Sequence, residues 1–265
     1  MKAAIFREVG QPLEIENISI SKPGPREVLV RTAAAGVCHS DLHFIEGLYP
    51  AQTPMVLGHE SAGIVEQVGS DVTYVKPGDH VITCLSVFCG HCEQCLTGHM
   101  SLCSSAEVRR DQDEEPRLAQ EGTLVNQFAN LSSFAEQMLI HEHALVKIRE
   151  DMPLDRAALL GCAVTTGVGS VFHTAAVEPG STVAVIGCGG VGLSCINGAA
   201  IAGAGRIIAI DMVDSKLAMA KEFGATDIVN GSNGDAVQQV IELTGGGVQY
   251  SFEAIGLKQT AEDAF

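Results

Sequence analysis

Basic side chains are scarce in this sequence: 16 Lys and Arg stand against 32 Asp and Glu, for a formal charge of −16. A field of that sign repels phosphate backbones and anionic membrane surfaces, which argues against nucleic-acid binding and indicates only a solvated acidic surface. The opening MKAAIFREVG also lacks a charged segment followed by an apolar run and a small-residue cleavage site, the pattern of a secretory leader. A reducing, cytoplasmic setting with cysteines as thiols is therefore expected. Long unbroken apolar runs are missing too. The uncharged stretch Pro179 to Gly205 is long enough to span a bilayer, but glycines, Asn197 and two cysteines interrupt it. Its apolar part, TVAVI, is short, β-branched and strand-like, so no membrane contact is expected.

With 265 residues and 46% hydrophobic content, the chain can bury one large core or two smaller ones. Its halves read differently enough to predict two domains, 1–150 and 151–265. The first is mostly β, with short runs such as VLVRTAAAGV, SAGIVEQVG, HVITC and FAEQMLI separated by Pro and Gly turns. The second alternates. Strands are predicted at Thr182–Ile186, Arg206–Ile210, Asp227–Val229 and Val248–Ala254, with helices from Gly190, in DMVDSKLAMAKEFG and over Asp235–Leu243. This βαβαβαβ succession predicts an α/β fold with a doubly wound sheet, of which strands 3-2-1-4 of the order 3-2-1-4-5-6 are present. Stopping there leaves an apolar edge, so Ala254 to Phe265 reads as an interrupted helix start and a truncated chain is expected.

Gly187, Gly189 and Gly192 form a GxGxxG between a predicted strand and a predicted helix, with Asp211 ending the next strand. The three glycines serve a tight turn, close approach to a pyrophosphate, and packing of helix on strand; the helix N-terminus then holds the anion. Asp211 can accept hydrogen bonds from ribose hydroxyls and would repel a 2′-phosphate, which favours NAD over NADP. Its other reading is a helix cap, although Asp214 is better placed for that. Lys216 is within reach of the same ribose or is simply a solvated helix lysine.

Cys89, Cys92, Cys95 and Cys103 form a CxxCxxCx7C array that can place four thiolates around one structural zinc. Paired disulfides and four separate thiols are the alternatives. A zinc-ribbon binding module would split its ligands into two knuckles about 15 to 20 residues apart and carry a basic surface; neither holds here. Further ligand types occur in GVCHSDLH, GHESAG and LLGCAVTTG, as Cys38, His59 and Cys162. Taken singly they read as two small buried hydrophobes and a core histidine. Brought together, two Cys and one His leave the fourth position of a catalytic zinc open to an alcohol.

These features together resemble the zinc-dependent alcohol dehydrogenases of the medium-chain dehydrogenase/reductase family, over the whole chain. Gly58, His59, Glu60, Gly63, Gly69 and Val72 fit that family's signature GHExxGxxxxxGxxV, and the cysteine loop fits its structural-zinc lobe, about 84–105. The resemblance implies a β-rich GroES-like catalytic domain, a Rossmann domain, two zinc ions per chain and NAD. It implies Cys38, His59 and Cys162 as catalytic-zinc ligands, Glu60 close behind the metal, and Asp41 hydrogen-bonded to the histidine. A zinc-bound alkoxide would give hydride to the nicotinamide, its proton having passed by Ser40 and the cofactor ribose to His43. Cofactor contacts are implied for His39, Thr166, Gly187, Gly189, Gly190, Val191, Gly192, Asp211 and Lys216.

Departures from the family pattern bear on substrate. His39 stands where well-known members often carry Arg, which predicts weaker cofactor binding. Tyr49, Leu85, Phe128 and Ala129 align with the substrate pocket, and the small Ala129 implies room for longer or aromatic primary alcohols. Glutathione-dependent formaldehyde dehydrogenases place an acid and an Arg where Tyr49 and Glu107 align, which disfavours that subclass. Segment Arg110–Arg117, RDQDEEPR, reads as a solvated loop. A longer parent would be a homodimer or homotetramer acting on a small-molecule alcohol; the alternative is an inactive fragment or a zinc-binding structural relative. Cys84, Cys188 and Cys195 have no assigned role, and Cys188 reads as a small buried residue.

Overall fold

The computed structural model describes residues 1–110 and 114–265. Two compact units divide it, Met1–Cys162 and Ala163–Phe265. In the first, chain order is β1 (Lys2–Phe6), β2 (Glu14–Asn17), β3 (Ser19–Ile20), β4 (Glu27–Ala35), α1 (His39–Ile45), β5 (Met55–Val56), β6 (Ser61–Val68), β7 (His80–Thr83), α2 (Glu93–Leu96), β8 (Leu118–Gln120), β9 (Thr123–Leu124), β10 (Asn126–Gln127), β11 (Gln137–His141), β12 (Leu145–Lys147) and α3 (Leu154–Ala157). The expected boundary at residue 150 differs from the observed one because Ala157 and Ala158 pack with Ala62 of β6, which draws residues 151–162 into the first unit.

The largest sheet is antiparallel, in the order β11-β4-β6-β7-β12; the others are β10-β5-β1-β2 and β3-β8-β9. Branched side chains on alternate positions suit a half-buried pleated surface, and Val28, Val30, Val65 and Val81 are buried with Met138 and Ile140 in one core. The β4–β6 register shifts between Thr32 and Ala34, just before the chain leaves the sheet. Such a bulge turns a strand toward a new direction, here toward the loop that carries Cys38.

The second unit runs α4 (Ala163–Gly169), β13 (Thr182–Ile186), α5 (Gly190–Ile201), β14 (Arg206–Asp211), α6 (Asp214–Glu222), β15 (Asp227–Asn230), α7 (Ala236–Thr244), β16 (Tyr250–Glu253) and α8 (Lys258–Ala264). Its strands pair in parallel as β15-β14-β13-β16, the 3-2-1-4 part of a Rossmann sheet. Continuous apolar strands fit a sheet buried on both faces: Val183, Val185 and Ile207 enter one core, Ala184, Ile186 and Ile208 the other. Asp235 caps α7, its carboxylate accepting from the Gln238 N–H at 3.1 Å. Asp214 does not cap α6. Val213 holds that position, and Asp214 is the first helical residue, its Oδ1 accepting from the Asn230 side-chain amide at 2.5 Å. Among the described residues no single helix is long and apolar enough to cross a membrane.

The solvated-loop reading of Arg110–Arg117 fails at both ends; Asp111, Gln112 and Asp113 lie outside the described residues. Arg117 Nε donates to Glu27 Oε1 at 2.6 Å and Arg110 Nη2 to Oε2 at 2.5 Å, while the Gly24 N–H also donates to Oε2 at 2.8 Å. Desolvation favours a protonated Glu27, but these donors outweigh it and hold the carboxyl below its ordinary range. Since the folded value lies below the unfolded one, the stabilisation is complete above about pH 4.5 and is lost as pH falls through the folded value. Glu27→Gln leaves the buried Arg117 without its carboxylate and is expected to lower the unfolding free energy by about 3–5 kcal/mol at pH 7. Denaturant titrations at pH 7 and pH 3 should show that deficit shrinking in acid.

Candidate active site

Cys38 follows the end of β4 and takes the N-cap position of α1. Its N–H donates to Asp41 Oδ2 at 3.1 Å, closing the first turn of the helix. Asp41 Oδ1 accepts from the Gly58 N–H at 3.1 Å and lies 3.3 Å from His59 Nδ1. Asp41 and His59 are both buried. A carboxylate can only accept, so the His59 Nδ1 carries a hydrogen toward Asp41, and Nε2 faces the other way, free to ligate once its own proton is lost. Cys162 follows the 3-10 turn Ala158–Gly161 and brings its Sγ to 3.8 Å from Cys38 Sγ. The ligand atoms of Cys38, His59 and Cys162 all lie within 4.8 Å of one another. Two sulfurs held tetrahedrally at about 2.3 Å from zinc stand about 3.8 Å apart, so this donor set fits that ion.

Protons can stabilise the same cluster in place of a cation. Hydrogen bonds from Cys162 and His59 lower the Cys38 thiol to about 3. Burial disfavours a charged His59, but Asp41 and the Cys38 thiolate outweigh it and raise the imidazole to about 10. Zinc would displace the His59 proton, which ties metal uptake to pH.

Glu60, next in the chain after His59, is buried, and its carbonyl accepts from the Gly36 N–H at 2.7 Å. A Cβ at Gly36 would stand 2.8 Å from the Glu60 carboxyl carbon, so a larger residue there would displace this acid's side chain. Ser40 Oγ is 3.7 Å from Cys38 Sγ. His43, three residues on and therefore on the same helical face, packs 4.7 Å from His39 and 5.4 Å from Tyr49, measured between ring centroids. The Phe128 ring meets His59 edge-on at 5.5 Å and Phe44 at 4.9 Å, and Phe44 lies 5.5 Å from Tyr49. Leu85, in the loop after β7, is exposed.

Phe128 is held by an unusual turn. Ala129, Asn130 and Ser132 have φ values of 52°, 58° and 64°, a region that L residues occupy only where their surroundings impose it. The buried Ser132 hydroxyl does so, accepting from the Phe128 N–H at 2.9 Å and donating to the Val56 carbonyl at 2.8 Å. Gly36, Phe44 and Ser132 are contributors that motif reasoning missed. Only Phe44 had a local signal, standing four residues after Ser40 and so on its face of α1.

The four-cysteine loop brings Cys89 and Cys95 sulfurs to 3.9 Å, Cys92 and Cys95 to 3.4 Å, and Cys92 and Cys103 to 3.9 Å. Backbone N–H groups of Cys89 and Cys92 donate to Cys103 and Cys89 sulfurs, both at 3.3 Å. All nine cysteines are free, and these sulfur separations are those of ligands around one tetrahedral ion.

In the second unit Gly187 makes the turn after β13 at φ 94°, and a Cβ on Gly192 would lie 1.7 Å from the Gly187 carbonyl oxygen. Gly189 and Gly190 are exposed at the start of α5, where a helix offers unpaired N–H groups to an anion; Val191 follows in the first turn. Asp211 Oδ2 accepts from the Cys188 N–H at 2.8 Å, and Oδ1 accepts from Met212 and Val213 at 2.8 and 3.0 Å. Lys216 Nζ is 3.8 Å from Asp211. Cys188 is buried and its thiol is pushed up to about 11 by burial, which removes it as a reactive thiolate. Thr166 lies in α4; a recess of about 490 Å³ nearby is lined by Val164, Thr165, Val168, Gly169, Phe172 and His173.

Residues 24–150 match the family model for the alcohol dehydrogenase GroES-like domain, and residues 190–265 that for zinc-binding dehydrogenases. Similar solved structures include the following three. An alcohol dehydrogenase zinc-binding domain protein from Burkholderia ambifaria is 40% identical, with a TM-score of 0.90 over 99% of this chain and 72% of that one. Benzyl alcohol dehydrogenase from Acinetobacter calcoaceticus is 37% identical, with a TM-score of 0.89 over the same shares. A zinc-binding dehydrogenase from Sinorhizobium meliloti 1021, bound to NADP, is 30% identical at a TM-score of 0.81, again over 99% and 72%.

Because His59 stays protonated up to about 10, each zinc bound at Cys38, His59 and Cys162 must release at least that proton. Zinc affinity there is expected to rise at least about tenfold per pH unit between pH 6 and 8. Chelator competition reads this as the zinc that Cys162→Ser fails to bind; an affinity flat across that range contradicts the pairing.

Proposed function

Because this chain belongs to the zinc-dependent alcohol dehydrogenases of the medium-chain dehydrogenase/reductase family, we propose that it oxidises aromatic or longer primary alcohols reversibly to aldehydes, with NAD as hydride acceptor. One observation carries this reading: Cys38, His59 and Cys162 converge as three ligands, which leaves a coordination position for substrate, whereas four cysteines leave none. These three residues would hold a catalytic zinc, and Cys89, Cys92, Cys95 and Cys103 a structural one. When bound, the catalytic ion acts as a Lewis acid that brings an alcohol's ionisation, near about pH 16 in water, toward neutrality.

The chain's own residues supply the remainder. Asp41 keeps the His59 ring in the Nδ1–H form and fixes its plane, the usual task of a carboxylate behind a metal-bound histidine. Ser40, beside Cys38, accepts the alcohol's proton while passing on its own, and His43 on the same face of α1 carries the charge outward. Phe44, Tyr49 and Phe128 form an aromatic wall against which a substrate ring can pack edge to face. The benzyl alcohol dehydrogenase among the similar structures supports that preference. Gly189, Gly190, Val191 and Gly192 offer backbone N–H groups to a pyrophosphate, and Asp211 keeps acceptor positions for ribose hydroxyls while repelling a 2′-phosphate. NAD is proposed on that ground although one relative binds NADP.

Initial rates of NADH formation over an alcohol panel test the proposal. Benzyl alcohol is expected to exceed ethanol by at least about tenfold in kcat/KM, the scale on which pocket contacts discriminate, and NAD to exceed NADP. Ethanol as the better substrate overturns the pocket, and NADP as the better cofactor overturns the role of Asp211. His43→Gln should lower kcat and alter its pH profile with zinc content unchanged; an unaltered profile overturns the proton path.

A further inference from the structure

Next to the cysteine loop lies a second set of donors that shares one ligand with it. His91, in the turn between Cys89 and Cys92, places Nε2 3.1 Å from Oε2 of Glu107. The donor atoms of Cys89, His91 and Glu107 all lie within 4.8 Å of one another. Glu107 arrives from the opposite end of the lobe, on the 3-10 turn Ala106–Val108, which the buried Val108 anchors just beyond Cys103. The His91 and Glu107 side chains are 65% and 41% exposed, whereas Cys89 is buried. The Cys89 sulfur is therefore common to two donor sets, a shielded one of sulfurs and an exposed one that adds a nitrogen and a carboxylate oxygen.

An ion pair this exposed is screened by water and holds two ends of a loop only weakly, so its worth as a clasp is small. Its chemistry has another use. Zinc is borderline-soft and accepts thiolate, imidazole and carboxylate at about 2.0–2.3 Å, which sets donor separations of about 3.3–3.8 Å in a tetrahedron; the His91–Glu107 separation needs to open by only a few tenths of an ångström. We infer that Cys89, His91 and Glu107 form an exposed way-station through which zinc enters and leaves the four-cysteine loop. Cys89 keeps its bond throughout. On entry, the bonds to His91, Glu107 and the water that completes the way-station's tetrahedron break one at a time as bonds to the sulfurs of Cys92, Cys95 and Cys103 form, each thiol giving its proton to water; release runs the same exchanges in reverse. This inference rests on reading the four-cysteine loop as a zinc site.

The test follows the holoenzyme at fixed pH, measuring transfer of loop zinc to a chelator and its exchange with isotopically enriched zinc. A way-station changes rates in both directions without changing the end states. His91→Ala and Glu107→Ala are therefore expected to slow release and exchange by about tenfold, the scale of losing one supporting ligand, with zinc content and affinity unchanged. His91→Cys, which restores a zinc donor, should retain the fast rate. Faster release with weaker affinity in the alanine variants would show a clasp and overturn the inference, as would unchanged rates. A parent protein lacking loop zinc would overturn the zinc reading itself, which the metal content reports separately.

Discussion

One buried carboxylate holds the candidate active site in register. Asp41 receives the Cys38 N–H, the Gly58 N–H and the His59 ring, and so joins the loop that leaves β4 to the one that enters β6. Burying a charge is costly, and it is tolerated here because several donors converge on it. The consequences reach beyond the ligands. The same carboxylate closes the first turn of α1, the helix that carries Ser40 and His43, so the candidate ligands and the proposed proton path share one anchor. Asp211 repeats the device in the second unit, drawing N–H groups of Cys188, Met212 and Val213 onto one side chain and fixing the glycine turn against the end of β14.

The two cysteine-containing centres differ in what they leave open. In the loop of Cys89, Cys92, Cys95 and Cys103, sulfurs 3.4–3.9 Å apart suit tetrahedral coordination of one ion, and N–H groups of the loop donate to those of Cys89 and Cys103. Cys38, His59 and Cys162 supply one donor fewer, and the space beside them is faced by Phe128 and the hydroxyl of Ser40. The first arrangement suits a closed structural ion and the second an ion with a position open to substrate.

What could be read from the chain alone was whatever short-range spacing dictates. CxxCxxC fixes sulfurs on one turn of loop, GxGxxG fixes a strand–turn–helix, and β-branched runs such as Thr182–Ile186 fix strands, because each depends on covalent reach or local backbone preference. Features made by distant residues left no such trace. Glu27 meets Arg110 and Arg117 across long separations in the chain, which turned an apparently solvated acidic loop into an anchored one. The left-handed turn at Ala129, Asn130 and Ser132 has no glycine to announce it; burial of Ser132 imposes it. Asp214 looked like a cap because its type suits one, but the helix begins at Asp214 itself, a residue earlier than that role requires.

The proposed pair of zinc centres of different composition is open to zinc-edge X-ray absorption on metal-replete protein. Two zinc ions per chain are expected, with a mean of about three sulfur donors and about one nitrogen or oxygen donor each, the average of a four-sulfur site and a site of two sulfurs, one imidazole and one lighter ligand. Cys162→Ser should leave a single zinc surrounded by sulfur alone. A single zinc in the unaltered protein, or two with identical all-sulfur shells, would contradict the proposed pair.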